Sequence, residues 1–196
     1  VLSLTHDGTN TVTANTSVVR ELEATFVDAF SVNSQETDPQ GMAFNTDGTK
    51  MFVTGKTGDD INEYTLTTGF DVSTASFVDG FSVNAQTGDP RDVKFSTDGT
   101  VMFVLERSND NVCRYTLTTG FDVSTATFED SYSVADQETS ANSVEFSTDG
   151  MKMFVMGQQN DEVNEYTLNI AFDFSPITTT VDGIEVKILA SKRSRI

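Results

Sequence analysis

"FSTDGTVMFVLERSNDNVCRYTLTTGFDVSTATFEDSYSV" spans Phe95 to Val134, and near copies of its opening stand at Phe44 ("FNTDGTKMFVTG") and Phe146 ("FSTDGMKMFVMG"). Asp47, Asp98 and Asp149 are 51 residues apart at each step, as are Tyr64, Tyr115 and Tyr166. No insertion disturbs this register, so each copy is one structural unit that stacks on equivalent neighbours. A worn fourth copy precedes them. "LTHDGTNTV" (Leu4 to Val12) lies over Phe44 to Phe52, and Asp7 precedes Asp47 by 40 residues, so this copy is 11 residues short. "ATFVDAFSV" (Ala24 to Val32) is back in phase with "ASFVDGFSV" (Ala75 to Val83).

Each unit holds four strand signals. "RDVKFS" alternates, with Val93 and Phe95 on one face. "TDGT" follows, and Asp-Gly marks a tight hairpin because glycine takes a positive φ at little cost. "VMFVL" is apolar throughout, as a strand covered on both faces requires. "NVCRYTLTT" and "ATFEDSYSV" complete the set, rich in the β-branched and aromatic residues that suit a pleated surface. Pro39 and Pro90 sit at the start of the first strand, where a missing N–H does no harm. Four antiparallel strands in roughly 40–50 residues describe a β-propeller blade.

The expected fold is therefore all-β: a β-propeller of about four four-stranded antiparallel blades on a 51-residue repeat, the first blade shortened. Residues 1–196 form one repeat domain, with blades at about 1–38, 39–89, 90–140 and 141–190 and a basic tail at 191–196. "TTVDGIEVKIL" (Thr179 to Leu189) is expected as the outer-edge strand of the last blade. The motif "FSTDG-xx-MFV" followed by "V-xx-Y-x-L-xx-G-F-D" resembles the YVTN and WD40-like propeller repeats, with Met51 to Gly55 in place of the family's second strand. Threonine replaces the family's turn proline. The resemblance is strong over about 42–173, implies the propeller fold, and says nearly nothing about function. An open arc of blades would leave apolar end faces to be covered, and two such chains could then complete one ring.

Thirty acidic against twelve basic residues give a net charge of −18. Four of the twelve lie in the last ten positions, so the body up to Val186 carries eight basic and thirty acidic residues, a net −22. Such a surface repels phosphate backbones and anionic lipid, which excludes nucleic acid as a partner. No apolar run approaches the ~18 residues of a membrane-spanning helix. The chain opens with Val, which points to a processed product or a piece of a longer polypeptide.

Cys113 is the single cysteine and stands where the sister copies have Asn62 and Asn164, a packing position on a strand. His6 is the single histidine, so zinc sites of the usual kinds and a Ser-His-Asp triad are not expected. Asp59, Asp110 and Asp161 recur in an acidic loop, and Asp71, Asp122 and Asp173 recur after a phenylalanine; both sets are expected to cap turns. No cofactor or metal is expected, calcium being the one ion such loops could accept.

What repeats builds, and what differs between copies is the place to look for function. The differences concentrate in the loop before the first strand: "NSQETDPQG", "NAQTGDPRD" and "ADQETSANS". In a propeller this loop opens onto the channel mouth. The candidate binding residues are Glu36, Asp38, Gln40, Asp89, Arg91, Asp92, Glu138 and Asn142, a polar and mostly acidic funnel for a cation, sugar or peptide. "TGKTGDD", "LERSNDN" and "MGQQNDE" form a second variable loop, in which Arg107 is distinctive. Lys192, Arg193 and Arg195 are expected to act as an assembly tail against the acidic body.

Three function classes follow. The first is a non-enzymatic structural or binding module, extracellular or on a virion or cell surface, acting on protein partners, copies of itself or glycans. A divalent-metal-dependent, lactonase-like hydrolase is the second, and an intracellular scaffold the third.

Overall fold

A computed structural model of the chain describes residues 24–176 in full, together with the backbone of strands at 3–6, 12–15, 178–181 and 184–187. β1 (Ser3–His6) pairs with β2 (Val12–Asn15). A leading blade follows, made of β3 (Pro39–Phe44), β4 (Lys50–Gly55), β5 (Asp60–Leu66) and β6 (Ala75–Ser82). The central blade is β7 (Pro90–Phe95), β8 (Val101–Glu106), β9 (Asn111–Leu117) and β10 (Ala126–Ser133). The trailing blade has three strands, β11 (Ala141–Phe146), β12 (Lys152–Gly157) and β13 (Val163–Thr167). β14 (Thr178–Val181) and β15 (Ile184–Lys187) pair with each other. Every blade is an antiparallel meander in chain order. The fold is all-β, a partial propeller whose first strands β3, β7 and β11 lie side by side on the inside.

Blades stack because their second strands are apolar on both faces. In β4, Phe52 faces the central blade while Met51 and Val53 face the other way, and β8 and β12 repeat this alternation. One core lies between the leading and central blades, around Phe52, Ile61, Val93, Met102, Val104 and Tyr115. A second lies between the central and trailing blades, around Phe103, Leu105, Val112, Val144, Met153 and Val155. Burying each such side chain contributes about 1.5–3 kcal/mol, so the interfaces dominate the stability of this arc.

Ring clusters repeat at both interfaces. Phe52 meets Phe95 at 4.3 Å and Phe121 at 6.3 Å between centroids, and Phe103 meets Phe146 at 4.1 Å and Phe172 at 6.3 Å. Polar contacts flank them. Lys50 Nζ sits 2.6 Å from Glu63 Oε1 and donates to the carbonyl of Phe121 at 2.6 Å; Glu63 Oε2 accepts the N–H of Val123 at 3.0 Å. In the central blade Arg114 replaces Glu63 and reaches Asp173 at 3.1 Å while bonding Asp130 of its own blade.

The turns follow from the sequence. Gly48, Gly99 and Gly150 have φ of 72°, 73° and 69°, as the Asp-Gly hairpins require. Asp71 and Asp122 accept the N–H of Ser73 and Ser124 and so cap the 3-10 turns Val72–Thr74 and Val123–Thr125. Less expected are Phe70, Phe121 and Phe172, held at φ of 61°, 59° and 56°. The left-handed backbone costs a bulky residue about 1–2 kcal/mol. That strain lays each ring over the turn glycine of its own blade and, in Phe121 and Phe172, into an inter-blade cluster.

Two expectations are corrected at the ends. The worn N-terminal copy is no four-stranded blade among the described residues: β1 and β2 form a two-stranded ladder, and Ala24 to Val32 runs without a strand partner. Nor does the segment after the repeats add a single strand to the last blade. β14 and β15 turn back on each other with Val181 opposite Ile184, so this stretch satisfies its own ladder. Its sequence has Asp-Gly between those partners, the same hairpin signal as in the repeats. The tail residues Lys192, Arg193 and Arg195 lie outside the described residues.

Candidate functional site

The two variable loops meet at one end of the inner strands. The loop before each first strand runs under the turn joining the second and third strands. A single buried carboxylate ties them together in every blade. In the leading blade it is Glu36, whose Oε1 accepts the N–H of Asp38 at 2.6 Å and of Thr57 at 3.2 Å, and whose Oε2 accepts that of Gly58 at 3.2 Å. Burial opposes its ionisation, but these donors outweigh burial and hold the carboxyl below the ordinary range. In the trailing blade Glu138 Oε1 accepts the N–H of Ser140 (2.8 Å) and of Gln159 (3.1 Å), while its Oε2 is buried without a hydrogen-bond partner.

The central blade solves the problem from the opposite side. Thr87 stands where the others have glutamate, and Glu106 stands where they have Gly55 and Gly157. Glu106 accepts the N–H of Ser108 at 3.0 Å and of Asn109 at 2.8 Å, and Thr87 Oγ1 donates to it at 3.4 Å. A Cβ on Gly55 or Gly157 would lie 2.4 Å from the carboxyl carbon of Glu36 or Glu138, so one site cannot hold both. Glu36 and Glu138 are therefore turn caps, 1% and 0% exposed, and are withdrawn from the funnel expected of them.

The remaining candidates form a ladder across the inner strands. Gln40 Nε2 donates to Asp38 Oδ1 at 2.6 Å, and Gln40 Oε1 accepts from Arg91 Nη1 at 2.7 Å. Arg91 pairs with Asp89 at 2.9 Å, with Lys56 Nζ 4.0 Å from the same oxygen. Arg107 donates to Ser140 Oγ (2.6 Å), Gln158 Oε1 (3.1 Å) and Asn142 Oδ1 (3.3 Å). Deeper in, Asp92 Oδ2 accepts the N–H of Val144 at 3.1 Å and the hydroxyl of Ser143 at 3.2 Å, with Lys94 at 3.4 Å from Oδ1. Burial pushes the Asp92 carboxyl up against the pull of Lys94 and those donors.

The rim is acidic in sequence but is crossed by cations. Lys56, Arg91, Lys94 and Arg107 bring four of the seven Lys and Arg in 24–176 to this end and channel face. Each is ion-paired or hydrogen-bonded to a carboxylate, amide or hydroxyl on the same or next blade. Sequence comparison marked Arg107 as distinctive but passed over Lys56, Lys94 and the Thr87/Glu106 exchange. The signal for the last was present: a glutamate lost at one repeat position is regained at another.

The recurrent acids behave as turn residues. Asp59, Asp110 and Asp161 hold φ of 47°, 51° and 53°. Asp110 Oδ1 accepts the N–H of Ala141 at 3.2 Å; the residue one repeat before Ala141 is Pro90, which has no N–H, and Asp59 Oδ1 is buried without a hydrogen-bond partner. Cys113 is buried, and burial pushes its thiol up to about 12. Among the described residues no three His, Cys, Asp or Glu converge to hold a metal ion, and no helix there is long and apolar enough to cross a membrane.

No family model matches the chain, and no curated protein matches it. Solved structures do. A candidate 6-phosphogluconolactonase from Bacteroides uniformis superposes with a TM-score of 0.52 at 16% identity, over 76% of this chain and 39% of that one. A second, from Bacteroides fragilis, gives 0.52 at 16% over the same shares. A protein from Lactobacillus plantarum gives 0.51 at 17%, over 77% of this chain and 40% of that one. The likeness is one of fold: this chain has the propeller architecture and spans about two fifths of the length of these structures.

Proposed function

We propose that the chain is a non-enzymatic structural and binding module that works through protein contacts, with glycans as a further class of ligand for the polar rim. One observation carries this reading. The side chains that vary between repeats and reach the channel mouth are engaged with one another or with the turns beneath them, the Ser143 hydroxyl with the Asp92 carboxylate among them. The strongly acidic composition supports an extracellular, virion or cell-surface setting, where negative charge keeps a repetitive β-protein soluble.

The fold likeness to candidate lactonases motivates a second reading, a metal-dependent lactone hydrolase. Its metal would need carboxylates converging on the channel. Asp38 is engaged by Gln40, Asp89 by Arg91 and Lys56, and Asp92 by Lys94 and the next blade, so these residues do not fit such a centre. The test is hydrolysis of five- and six-membered sugar lactones with calcium, magnesium, manganese or zinc added. Turnover at the uncatalysed rate is expected. Saturable hydrolysis that Asp89→Asn abolishes would overturn the non-enzymatic reading.

A further inference from the structure

Among the described residues, the outward faces of the leading and trailing blades lack the neighbouring blade that covers the inner faces. On the trailing blade, Phe154, Met156 and Val163 share the outward face. Their equivalents one repeat back, Phe103, Leu105 and Val112, are 0% exposed, as are Phe52, Thr54 and Ile61 two repeats back. Met156 and Val163 are instead 49% and 65% exposed. On the leading blade, Met42 is 60% exposed where Val93 and Val144 are 0%, and a cavity of about 350 Å³ opens between Phe30, Val32, Met42, Met51 and Val53. In the central blade the equivalents Phe81, Val83, Val93, Met102 and Val104 pack against Phe52 and Ile61.

Three half-sites match in register. Phe44 and Phe70 meet at a tilt at 5.4 Å like Phe95–Phe121 (5.5 Å) and Phe146–Phe172 (5.9 Å), but without the third ring that Phe52 or Phe103 supplies to those pairs. Phe154 occupies the position of that third ring. Lys152 Nζ meets Glu165 Oε1 at 2.7 Å, reproducing the Lys50–Glu63 pair (2.6 Å) that clasps the carbonyl of Phe121 and the N–H of Val123. The groups homologous to those two are the carbonyl of Phe70 and the N–H of Val72 on the leading blade. Finally, among the described residues the trailing blade has no fourth strand, while Ala24 to Val32, homologous to β6 and β10, has no strand partner, although Phe30 and Val32 pack on the leading blade. Phe26 and Val27 there are 82% and 89% exposed.

Resting on the reading of the chain as a protein-contact module, we propose that the partner is a second copy of this chain, docked head to tail. The trailing blade of one copy seats on the leading blade of the next and receives residues 24–32 of that copy as its fourth strand. The β5–β6 ladder, shifted by two repeats for β13 and by one for 24–32, sets the register: Asn62 opposite Gly80 becomes Asn164 opposite Ala29, and Tyr64 opposite Phe77 becomes Tyr166 opposite Phe26. Strand addition satisfies the open edge of β13, and the apolar face covers what water now touches. Because the two surfaces differ, the contact is heterologous and generates a ring or a filament.

Cross-linking tests it. In a Cys113→Ala background, Ala29→Cys and Asn164→Cys are placed on separate chains and oxidised alone and mixed. A disulfide heterodimer forming only in the mixture is expected, and adding Val163→Asp to the Asn164→Cys chain should reduce its yield at least tenfold with the far-UV circular dichroism unchanged. No heterodimer, or a yield indifferent to Val163→Asp, would overturn the proposal. So would an intramolecular disulfide as the main product of one chain carrying both cysteines. None of these results bears on lactone hydrolysis, so the two readings fail separately.

Discussion

Moving the buried carboxylate of the trailing blade to its central-blade position is the sharpest test of the repeat chemistry. Glu138→Thr alone leaves the N–H of Gln159 without its acceptor, while the new hydroxyl can still serve Ser140 as Thr87 serves Asp89. One orphaned donor costs about 1–3 kcal/mol. Gly157→Glu alone forces a Cβ to within 2.4 Å of the Glu138 carboxyl carbon and of the Ser140 carbonyl oxygen, and places a second carboxylate beside a buried first. Leaving a buried charge uncompensated costs about 3–5 kcal/mol. Additivity would therefore put the double variant at about 4–8 kcal/mol below wild type. The structure predicts otherwise: the pair recreates Thr87/Glu106, removing the clash and the second carboxylate and leaving only the Cβ approach to the Ser140 carbonyl, so the double variant should be more stable than the additive sum by at least about 2 kcal/mol. Urea unfolding of the four proteins, compared at constant m, measures the coupling. A double variant as unstable as the sum would refute the exchange.

Three further outcomes are expected. Gly99→Val adds a side chain at φ 73° with its Cβ 2.2 Å from the Phe121 ring, and should lower stability by about 1–3 kcal/mol; an unaltered urea midpoint would contradict the hairpin assignment. Asp98 is held below its ordinary value by the Thr100 N–H and the Ser96 and Thr100 hydroxyls, so its stabilisation is complete above the unfolded value near ~3.9 and is lost as pH falls through the folded one. Asp92, raised by burial, has the opposite sign: its contribution is complete below the unfolded value and is lost as pH rises through the folded one. Asp98→Asn should thus lose most against wild type at neutral pH and Asp92→Asn least, and unfolding curves from pH 3 to 7 check the order. Cys113, buried and with its thiol pushed up to about 12, should resist thiol reagents at pH 8 in the native chain and react in denaturant; rapid native labelling would contradict its packing role.

Much of the fold was legible because the repeat is written without insertions. The hairpin glycines, the doubly apolar second strands and the capping aspartates all stand where their residue types demand. Legibility failed where the outcome depends on a partner strand. Ala24 to Val32 has the sequence of a fourth strand, yet a strand exists only where an edge is there to pair with it. The Asp-Gly between β14 and β15 was outweighed by the alternation around it. At the site, residue type placed Asp38, Gln40, Asp89, Arg91, Asp92 and Asn142 at the inner-strand end, but could not separate a rim glutamate from a buried one. Burial of Glu36 and Glu138 depends on Gly55 and Gly157, about 19 residues away, leaving room for them.

Solution mass across concentration tests the central claim, that the end faces of this arc are its working surfaces. Sedimentation equilibrium of the chain from micromolar to hundreds of micromolar should give masses above the 21.3 kDa of one copy, rising with concentration or fixed at a closed multiple. A single 21.3 kDa species over the whole range would contradict it.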